Sequence, residues 1–555
     1  MKKPVFIVFI IGLLLLGLLY FLPLGINYYL NNNADRIVSN MIVRTNEFAG
    51  HEVNFGEIRL DYNYRGTFLK MDSVNIFPGE ELIEEDKIMF NLSFKEASLT
   101  GFQWFDFLFN NSISLDSAYI ADVVLETITP DLDEIAEKMR SDAESQGENY
   151  KMIQLNHIQV NKASFENRDN KTDSTRLAIN DLFVVADNFS LSDEDIESRS
   201  AIFSVNAIEG YLAEVQLHVN EYINVVKAND LSFNTSEQKL IVERAAFQNK
   251  LRKYEYVNRF QKETNWMELN NARLELSGMD FQAFFRQGKI VADKVQLDNL
   301  ELEVFRDKRK VEDTSKRPKM IQEIIHGLPK SIWLETVNFE NASITYQERP
   351  DTEALYSGRI FFDQVNGQLL SFTNDMDKLS KNDTLRILAK GRLMGEGQID
   401  MKADYLMNDK DGKFFLNGKI GGMDMTSLNN MIMPATRVAL KRGSLDNLYF
   451  NITANDLEGT GKVIARYNDL RIEILDKNFK RNRNIFRDVG AFLANKLVIK
   501  PHNPDKSGEL REGVVYFQRE KSKFIFHYWW NLILSGLKST ISGETEQDLR
   551  EKAAG

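Results

Sequence analysis

The residues able to do acid–base or metal chemistry are few and widely spaced. The chain of 555 residues carries six histidines, His51, His157, His218, His326, His502 and His527, and no cysteine. No two histidines stand at ligand spacing: His51-Glu52-Val53-Asn54-Phe55 lacks the second His that a zinc-binding helix needs. There is no G-x-S-x-G nucleophile elbow. Gly459-Thr460-Gly461-Lys462 resembles a phosphate loop, but Asp456 stands where the first Gly belongs and Val463 replaces the magnesium-facing hydroxyl. A hairpin turn is the better reading. Asp409-Lys410-Asp411-Gly412 resembles part of a calcium loop, yet Met407 would hold its first ligand position and Gly418 its bidentate acid. The many Asp and Glu residues on alternating segments mark a solvated face. No catalytic residue, metal ligand or cofactor is assigned.

Composition narrows the field further. A formal net charge of -12 argues against a general nucleic-acid binder, which needs a basic face. Absence of cysteine removes disulfides, thiol catalysis, iron–sulfur clusters and Cys-ligated zinc. With 43% hydrophobic residues the chain is not globally disordered. Its length would suit about three or four ordinary domains.

The elements must therefore carry the function. Residues Val5 to Leu24 form a charge-free apolar run, long enough at ~1.5 Å per residue for a ~30 Å hydrocarbon core. Lys2 and Lys3 place its start in the cytoplasm, and Tyr20, Tyr28 and Tyr29 suit the outer interface. Phe6, Ile7, Phe9, Leu13, Leu16, Leu19 and Phe21 are its lipid-facing candidates. A cleaved signal peptide is the alternative, but its apolar part would be shorter and GINYYLNNNA offers no convincing cleavage site. Either reading exports the remaining chain.

Beyond the run the dominant period is two. Val53 to Tyr62 alternates around one slip at Gly56, read as a bulge. Similar segments include Val215 to Val219, Leu300 to Val304 and Arg471 to Ile474. About 25–35 such strands at ~4.8 Å spacing would extend roughly 120–170 Å. A loose cassette recurs: strand, polar kink with Asn, Asp or Lys, strand. It begins at Leu115, Leu155, Val291 and Leu334, with some copies about 40 residues apart, the spacing of stacked repeats. Aromatic stretches, Phe102 to Phe109 and Phe281 to Phe285, precede two of the copies and read as short helical caps.

Few helices are expected. Asp131 to Gln146 reads as an acidic surface helix. Lys319 to Pro329 aligns Met320, Ile321, Ile324, Ile325 and Leu328 on one stripe, after a charged and mobile loop from Lys308 to Lys319. Phe479 to Leu497 aligns Ile485, Phe486, Val489, Phe492 and Leu493. Near the end, Phe524 to Leu537 concentrates aromatic residues. Phe524, Phe526, Trp529, Trp530, Leu534 and Leu537 are candidates for a membrane or groove-end contact, against ordinary packing at the end of the sheet. The tail after Ser542 is polar and expected to fray.

Three stretches resemble the AsmA-like family, the TamB-related periplasmic bridge-like lipid transfer proteins. They are the anchor followed by Val53-Asn54-Phe55-Gly56-Glu57-Ile58 and the Phe-rich cassette, the segment Lys413 to Leu475, and Asn503 to Gly543. The resemblance covers about half the chain and brings no catalytic set. It implies an elongated, curved antiparallel β-groove with a greasy interior, and roles in phospholipid movement or outer-membrane homeostasis. The divisions expected are a cytoplasmic stub (1–4), an anchor (5–24), an N-terminal AsmA-like β region (25–150), a central β-repeat region (151–330) and a C-terminal AsmA-like region (331–520). An aromatic amphipathic helix (521–542) and a polar tail (543–555) follow.

The fold class expected is mainly β: a transmembrane helix, then a taco-like groove or open sandwich with a few short helices. Alternating strands need a cover for their apolar face, by a second sheet, by helices or by a ligand. Phe55, Ile58, Leu60, Leu300, Leu302, Val304, Ile472 and Ile474 are the candidate groove-lining residues. The functional expectation is an inner-membrane, single-pass protein with its bulk in the periplasm, partnered by membrane phospholipid and by outer-membrane or periplasmic proteins. A non-enzymatic envelope scaffold with a dry core is the rival, and an anchored hydrolase ranks last for want of motifs.

Overall fold

Alternation and frequent β-branched and aromatic residues make this chain mainly β in its computed structural model. Residues 21–34, 36, 51–63, 66–79, 89–129, 152–170, 172–192, 207–480 and 499–554 are described. The anchor candidates Phe6, Ile7, Phe9, Leu13, Leu16 and Leu19 lie outside them, as do the helices expected over 131–146 and beyond residue 480. Among the described residues no helix is long and apolar enough to cross a membrane.

The chain divides into two units: residues 1–242 with 285–287, and residues 243–284 with 288–555. The first begins with α1 (residues 21–32). Its strands are β1 (His51–Asn54), β2 (Ile58–Asn63), β3 (Gly66–Pro78) and β4 (Met89–Phe102). After α2 (Trp104–Phe109) come β5 (Ser112–Thr129), β6 (Met152–Asp169) and β7 (Thr175–Ser192). Then follow β8 (Ala207–Val219), β9 (Asn224–Asn234) and β10 (Lys239–Asn249), in which the division falls. β1 and β2 both pair with β3, and β3 to β9 pair in sequence order. All these pairs are antiparallel except β5 with β6, which run parallel.

The second unit starts with α3 (Lys253–Asn258), β11 (Asn265–Ser277), α4 (Phe281–Gln287, of which residues 285–287 group with the first unit), β12 (Ile290–Asp298) and β13 (Glu301–Asp307). It continues with α5 (Ile321–His326), β14 (Ile332–Arg349), β15 (Gly358–Thr373), α6 (Met376–Leu379), β16 (Thr384–Leu393) and β17 (Gly397–Leu406). β18 (Phe414–Ile420), β19 (Met423–Asp424), α7 (Asn429–Thr436), β20 (Val438–Ala454) and β21 (Glu458–Ile474) follow. The last elements are β22 (Gly513–Gln518), α8 (Ile525–Ser542) and α9 (Glu546–Ala554). Here β12 and β13 both run parallel to β14.

The recurring cassette is explained by those parallel pairs. Leu115 lies beside Leu155 and Ile120 beside Val160, a constant offset of 40 residues. Val295 lies beside Val337 and Leu302 beside Ile344, a constant offset of 42. The polar kinks are left-handed residues at matching offsets: Asp122 and Lys162 (φ 51° and 53°), and Asn299 and Asn341 (φ 57° and 52°). Asn and Asp tolerate this conformation best. In the second unit the kink is also a ladder: Asn341 Nδ2 donates to Asn299 Oδ1 (2.8 Å) and Asn341 N–H to Asn366 Oδ1 (2.9 Å). In the first unit Ser73, Asp181 and Asp230 extend the left-handed seam to β3, β7 and β9. Such bulges increase the twist and bend each strand. A strand can therefore pass through its kink, so the described residues form 22 strands, several of them 18 residues long, rather than many short ones.

Two further expectations change. At Gly56 the register does not slip, because His51↔Pro78 and Ile58↔Met71 belong to one alignment; Ser73, opposite, takes the left-handed turn instead (φ 54°). The Lys308–Lys319 loop is strapped down: Glu312 meets Lys523 (2.7 Å), Asp313 meets Lys262 (2.7 Å) and Arg317 meets Asp456 (2.9 Å). The Lys262 ammonium and the Ser315 hydroxyl hold Asp313 down to about 2.

The core of the second unit gathers strands β16 to β22 around α8. Tyr405, Phe414, Tyr528 and Leu532 are buried there, and Trp529 Nε1 donates to Tyr405 OH (2.8 Å). The glycines of the supposed phosphate loop lie inside β21 and not in a turn. A Cβ at Gly459 would come within 2.5 Å of Leu532, and one at Gly513 within 2.0 Å of Gly536 O, so these glycines admit α8 to the sheet. α8 also closes the last edge: Val514 N–H donates to Ser539 Oγ (3.0 Å) and Tyr516 N–H to Ser535 Oγ (3.2 Å). Removing both hydroxyls leaves two strand N–H groups unpaired. Ser535→Ala with Ser539→Ala should cost about 1–3 kcal/mol per group, and Leu532→Ala about 2–5 kcal/mol. Urea unfolding followed by tryptophan fluorescence checks both.

Candidate functional site

Period-two alternation, read through the register, builds one apolar face on the first unit. One row runs Ile58, Met71, Ala97, Ile120, Val160, Val184, Gly210, Phe233. The next runs Leu60, Leu69, Leu99, Ala118, Ile158, Ala186, Ile208. Beyond the seam a third runs Leu125, Phe165, Ile179, Val215, Ala228. On β5, β6, β7 and β9 a left-handed residue lies between the second and third of these rows, at Asp122, Lys162, Asp181 and Asp230, and shifts the alternation by one.

What covers this face differs along it. Over β2 and β3, Ile26 and Leu30 of α1, with Ala34 just beyond it, lie on Ile58, Leu60, Leu69 and Met71. Over β4 to β9, among the described residues of this unit, the short helix α2 touches β5 and no second sheet packs. There the larger side chains, including Val160, Phe165, Val184, Leu212 and Phe233, are only half-buried. The fully buried positions on these strands are mostly small, such as Ala118 and Ala186. Among the described residues the face is floored by one layer of sheet, with no second layer across from it.

A glycine under an aromatic ring recurs on the strands of both units. Gly210 faces Phe233, Gly367 faces Phe339 and Gly418 faces Phe450 across neighbouring strands. A Cβ at any of the three would come within 2.5 Å of the ring opposite. The ring thus replaces the missing side chain and keeps the apolar row unbroken. The residues are visible in the sequence, but their pairing needs the register.

The opposite face of the first unit is polar. His157 Nδ1 shares a 2.8 Å hydrogen bond with Asp187 Oδ1, and Ser117 lies beside His157 in the parallel pair. The Ser117 hydroxyl bonds to Thr100 Oγ1 instead (2.7 Å), so the Ser–His contact that would activate a nucleophile is not made. Among the described residues no group of three His, Asp or Glu side chains is placed to hold a metal.

The candidate lining residues fall in three settings. Ile58 and Leu60 lie under α1, with Phe55 packed beside them. Leu302 and Val304 are half-buried on β13, beside Ile344 and Tyr346, and Leu300 just precedes them. Ile472 packs on the closed core and Ile474 pairs with Val438. On α8, Trp529 is buried in the core with Leu537 packed on it; Trp530 and Leu534 are half-buried, and Phe524 and Phe526 are exposed. On α5, Met320 and Ile325 are buried but Ile324 is exposed, because the helix is too short to keep its whole stripe inward. The tail is held as well: α9 sets Arg550 over the Tyr516 ring (4.1 Å). Phe21, the one described anchor candidate, is exposed on α1.

The strongest electrostatic cluster belongs to the second unit. Lys308 pairs with Glu348 (3.0 Å), Glu348 accepts from Tyr346 OH (2.8 Å), and Arg306 pairs with Glu263. Burial and the Glu348 carboxylate push the Tyr346 hydroxyl far up. His527, at the start of α8, is lowered to about 4 by burial and by Lys308, Lys523 and Arg306, against the opposing pull of Glu312.

No family model matches the chain, and no curated protein matches it.

The His527 setting predicts a pH dependence. Its folded value, about 4, lies below the ordinary 6.5, so between these values the unfolded chain binds a proton that the folded chain excludes. Stability of the second unit is expected to fall as pH drops from 6.5 towards 4. His527→Gln should flatten that slope in urea titrations at a series of pH values.

Proposed function

We propose that this chain is an inner-membrane-anchored periplasmic protein of the AsmA-like kind. Its apolar β face binds or conducts phospholipid between the inner and outer membranes, in support of outer-membrane biogenesis. It acts through a surface and not a reactive centre, and its partners are membrane phospholipids and proteins of the envelope.

The observation that carries the reading is the apolar face of β4 to β9, on which, among the described residues, no second sheet packs and α2 touches only β5. Six strands at ~4.8 Å and ~3.3 Å per residue make it roughly 25 Å by 40 Å, about 1,000 Å². The largest apolar patch of an ordinary monomer is about 300–600 Å². A face of this size needs an occupant. An acyl chain meets the need without specific contacts, at about 0.8 kcal/mol per buried CH₂. The charge-free run from Val5 to Leu24 supplies a bilayer attachment on the same unit.

The scaffold reading draws on the second unit, where α8 fills its stretch of sheet and leaves a dry core. The two readings separate on lipid exchange. Full-length protein in donor vesicles should move labelled phospholipid to acceptor vesicles. Val160→Asp or Leu302→Asp should reduce that transfer, because a carboxylate facing acyl chains costs roughly 2.5–3.5 kcal/mol, about a hundredfold in affinity. Transfer unchanged in folded Val160→Asp protein would count against the lipid reading and for the scaffold.

A further inference from the structure

The first unit carries a device that sets the level of its sheet relative to α1. Asn27 and Asn31 stand one helical turn apart on α1 and act on the outer edge of β2, which among the described strands pairs with β3 alone. Asn31 Nδ2 donates to Leu60 O (2.6 Å) and Leu60 N–H donates to Asn31 Oδ1 (3.0 Å). Asn27 Nδ2 donates to Tyr62 O (3.1 Å), and Tyr62 N–H donates back to Asn27 Oδ1. Two carboxamides thus replace a neighbouring strand at alternate residues, which seals the edge and fixes its height along the helix.

That height can be placed. If Val5 to Leu24 spans the bilayer, as the proposed function holds, Asn27 lies about 4.5 Å beyond Leu24 at ~1.5 Å per residue. The polar layer of a leaflet is about 5–7 Å deep, so Asn27 sits within it and Asn31, about 10.5 Å beyond Leu24, stands in the water just outside it. The strand register carries this level sideways. Asn27 bonds Tyr62, Tyr62 faces Thr67, and Thr67 faces Phe102. α2 starts two residues after Phe102. It displays Phe105 and Phe109, one turn apart, 67% and 73% exposed, with ring centroids 5.1 Å apart. The exposed side of α1 carries Phe21, Leu24, Tyr28 and Tyr29.

We propose that α2 is a second bilayer contact. Phe105 and Phe109 seat among phospholipid headgroups, at a level fixed by the Asn27–Asn31 clamp. Two attachments at one end of the sheet hold the apolar face in a set orientation to the membrane, which a single helix with a free joint would not do. The inference rests on the anchor reading, and the test separates the two.

The chain has no cysteine, so single labels can be introduced directly. Full-length Leu13→Cys, Phe105→Cys, Phe109→Cys and Glu221→Cys proteins are labelled with a nitroxide in phosphatidylethanolamine–phosphatidylglycerol vesicles. Collision with lipid-dissolved oxygen and with an aqueous nickel complex is measured for each. Glu221 lies in the β8–β9 turn, at the opposite end of the strands from α2. Labels at 105 and 109 are expected to favour oxygen severalfold, as at Leu13, and the label at 221 to favour nickel. Adding Asn27→Ala and Asn31→Ala should keep the Leu13 label in lipid and move 105 and 109 towards water. Labels at 105 and 109 as aqueous as 221, with Leu13 in lipid, would overturn the second contact alone. Low collision with both reagents would assign α2 to a protein partner and overturn it too. Unchanged depth in the double variant would overturn the clamp, and an aqueous Leu13 label would overturn the anchor reading together with this one.

Discussion

A strand that is apolar on alternate residues must lie against something apolar, and this constraint shapes both units. In the second, the partner is internal: α8 enters through Gly459, Gly513 and Gly536 and fills the sheet with Tyr528, Trp529 and Leu532. In the first, α1 covers only β2 and β3, and the rows through Val160, Val184 and Phe233 continue past it. The same grammar of strands thus yields a closed core in one place and an open face in another. Among the described residues, the helices that meet these two stretches of sheet differ in length. α8 has 18 residues, whereas α2 has six.

Edges pose the second constraint, and the chain meets it in a similar way twice. A terminal strand presents unpaired N–H and C=O groups that invite strand addition. On β2 these groups are taken by Asn27 and Asn31, and on β22 by Ser535 and Ser539. In each case two short polar side chains four residues apart on a helix meet strand residues two apart. The match follows from geometry: one helical turn rises about 5.4 Å, close to the roughly 6.6 Å between alternate strand residues. An open apolar face can remain soluble more readily when the backbone beside it is sealed.

Much of this was legible in the residues. The cassette at Leu115, Leu155, Val291 and Leu334 announced itself through its polar kink, because few residues other than Asn and Asp accept the left-handed conformation. The aromatic stretches before two copies form α2 and α4. What could not be read was register. Parallel pairing of β5 with β6, the Gly210–Phe233 partnership and the burial of Ile58 and Leu60 under α1 are facts about neighbours distant in sequence. The glycines near Gly459 read as a hairpin turn and instead lie inside β21, because a turn and a site for close helix approach both call for glycine. The Asn27 and Asn31 clamp left no signal, since asparagine is common throughout the chain.

The central claim is that acyl chains occupy the face that Val160 shares with Ile158, and not the face that holds His157 and Gln159. Site-specific photocrosslinking in intact membranes containing radiolabelled phospholipid tests it most directly. A photoreactive residue at Ile158 or Val160 is predicted to capture phospholipid, while the same residue at His157 or Gln159 captures none. Equal labelling of both faces, or no lipid at Ile158 and Val160 in protein that remains folded, would contradict the account.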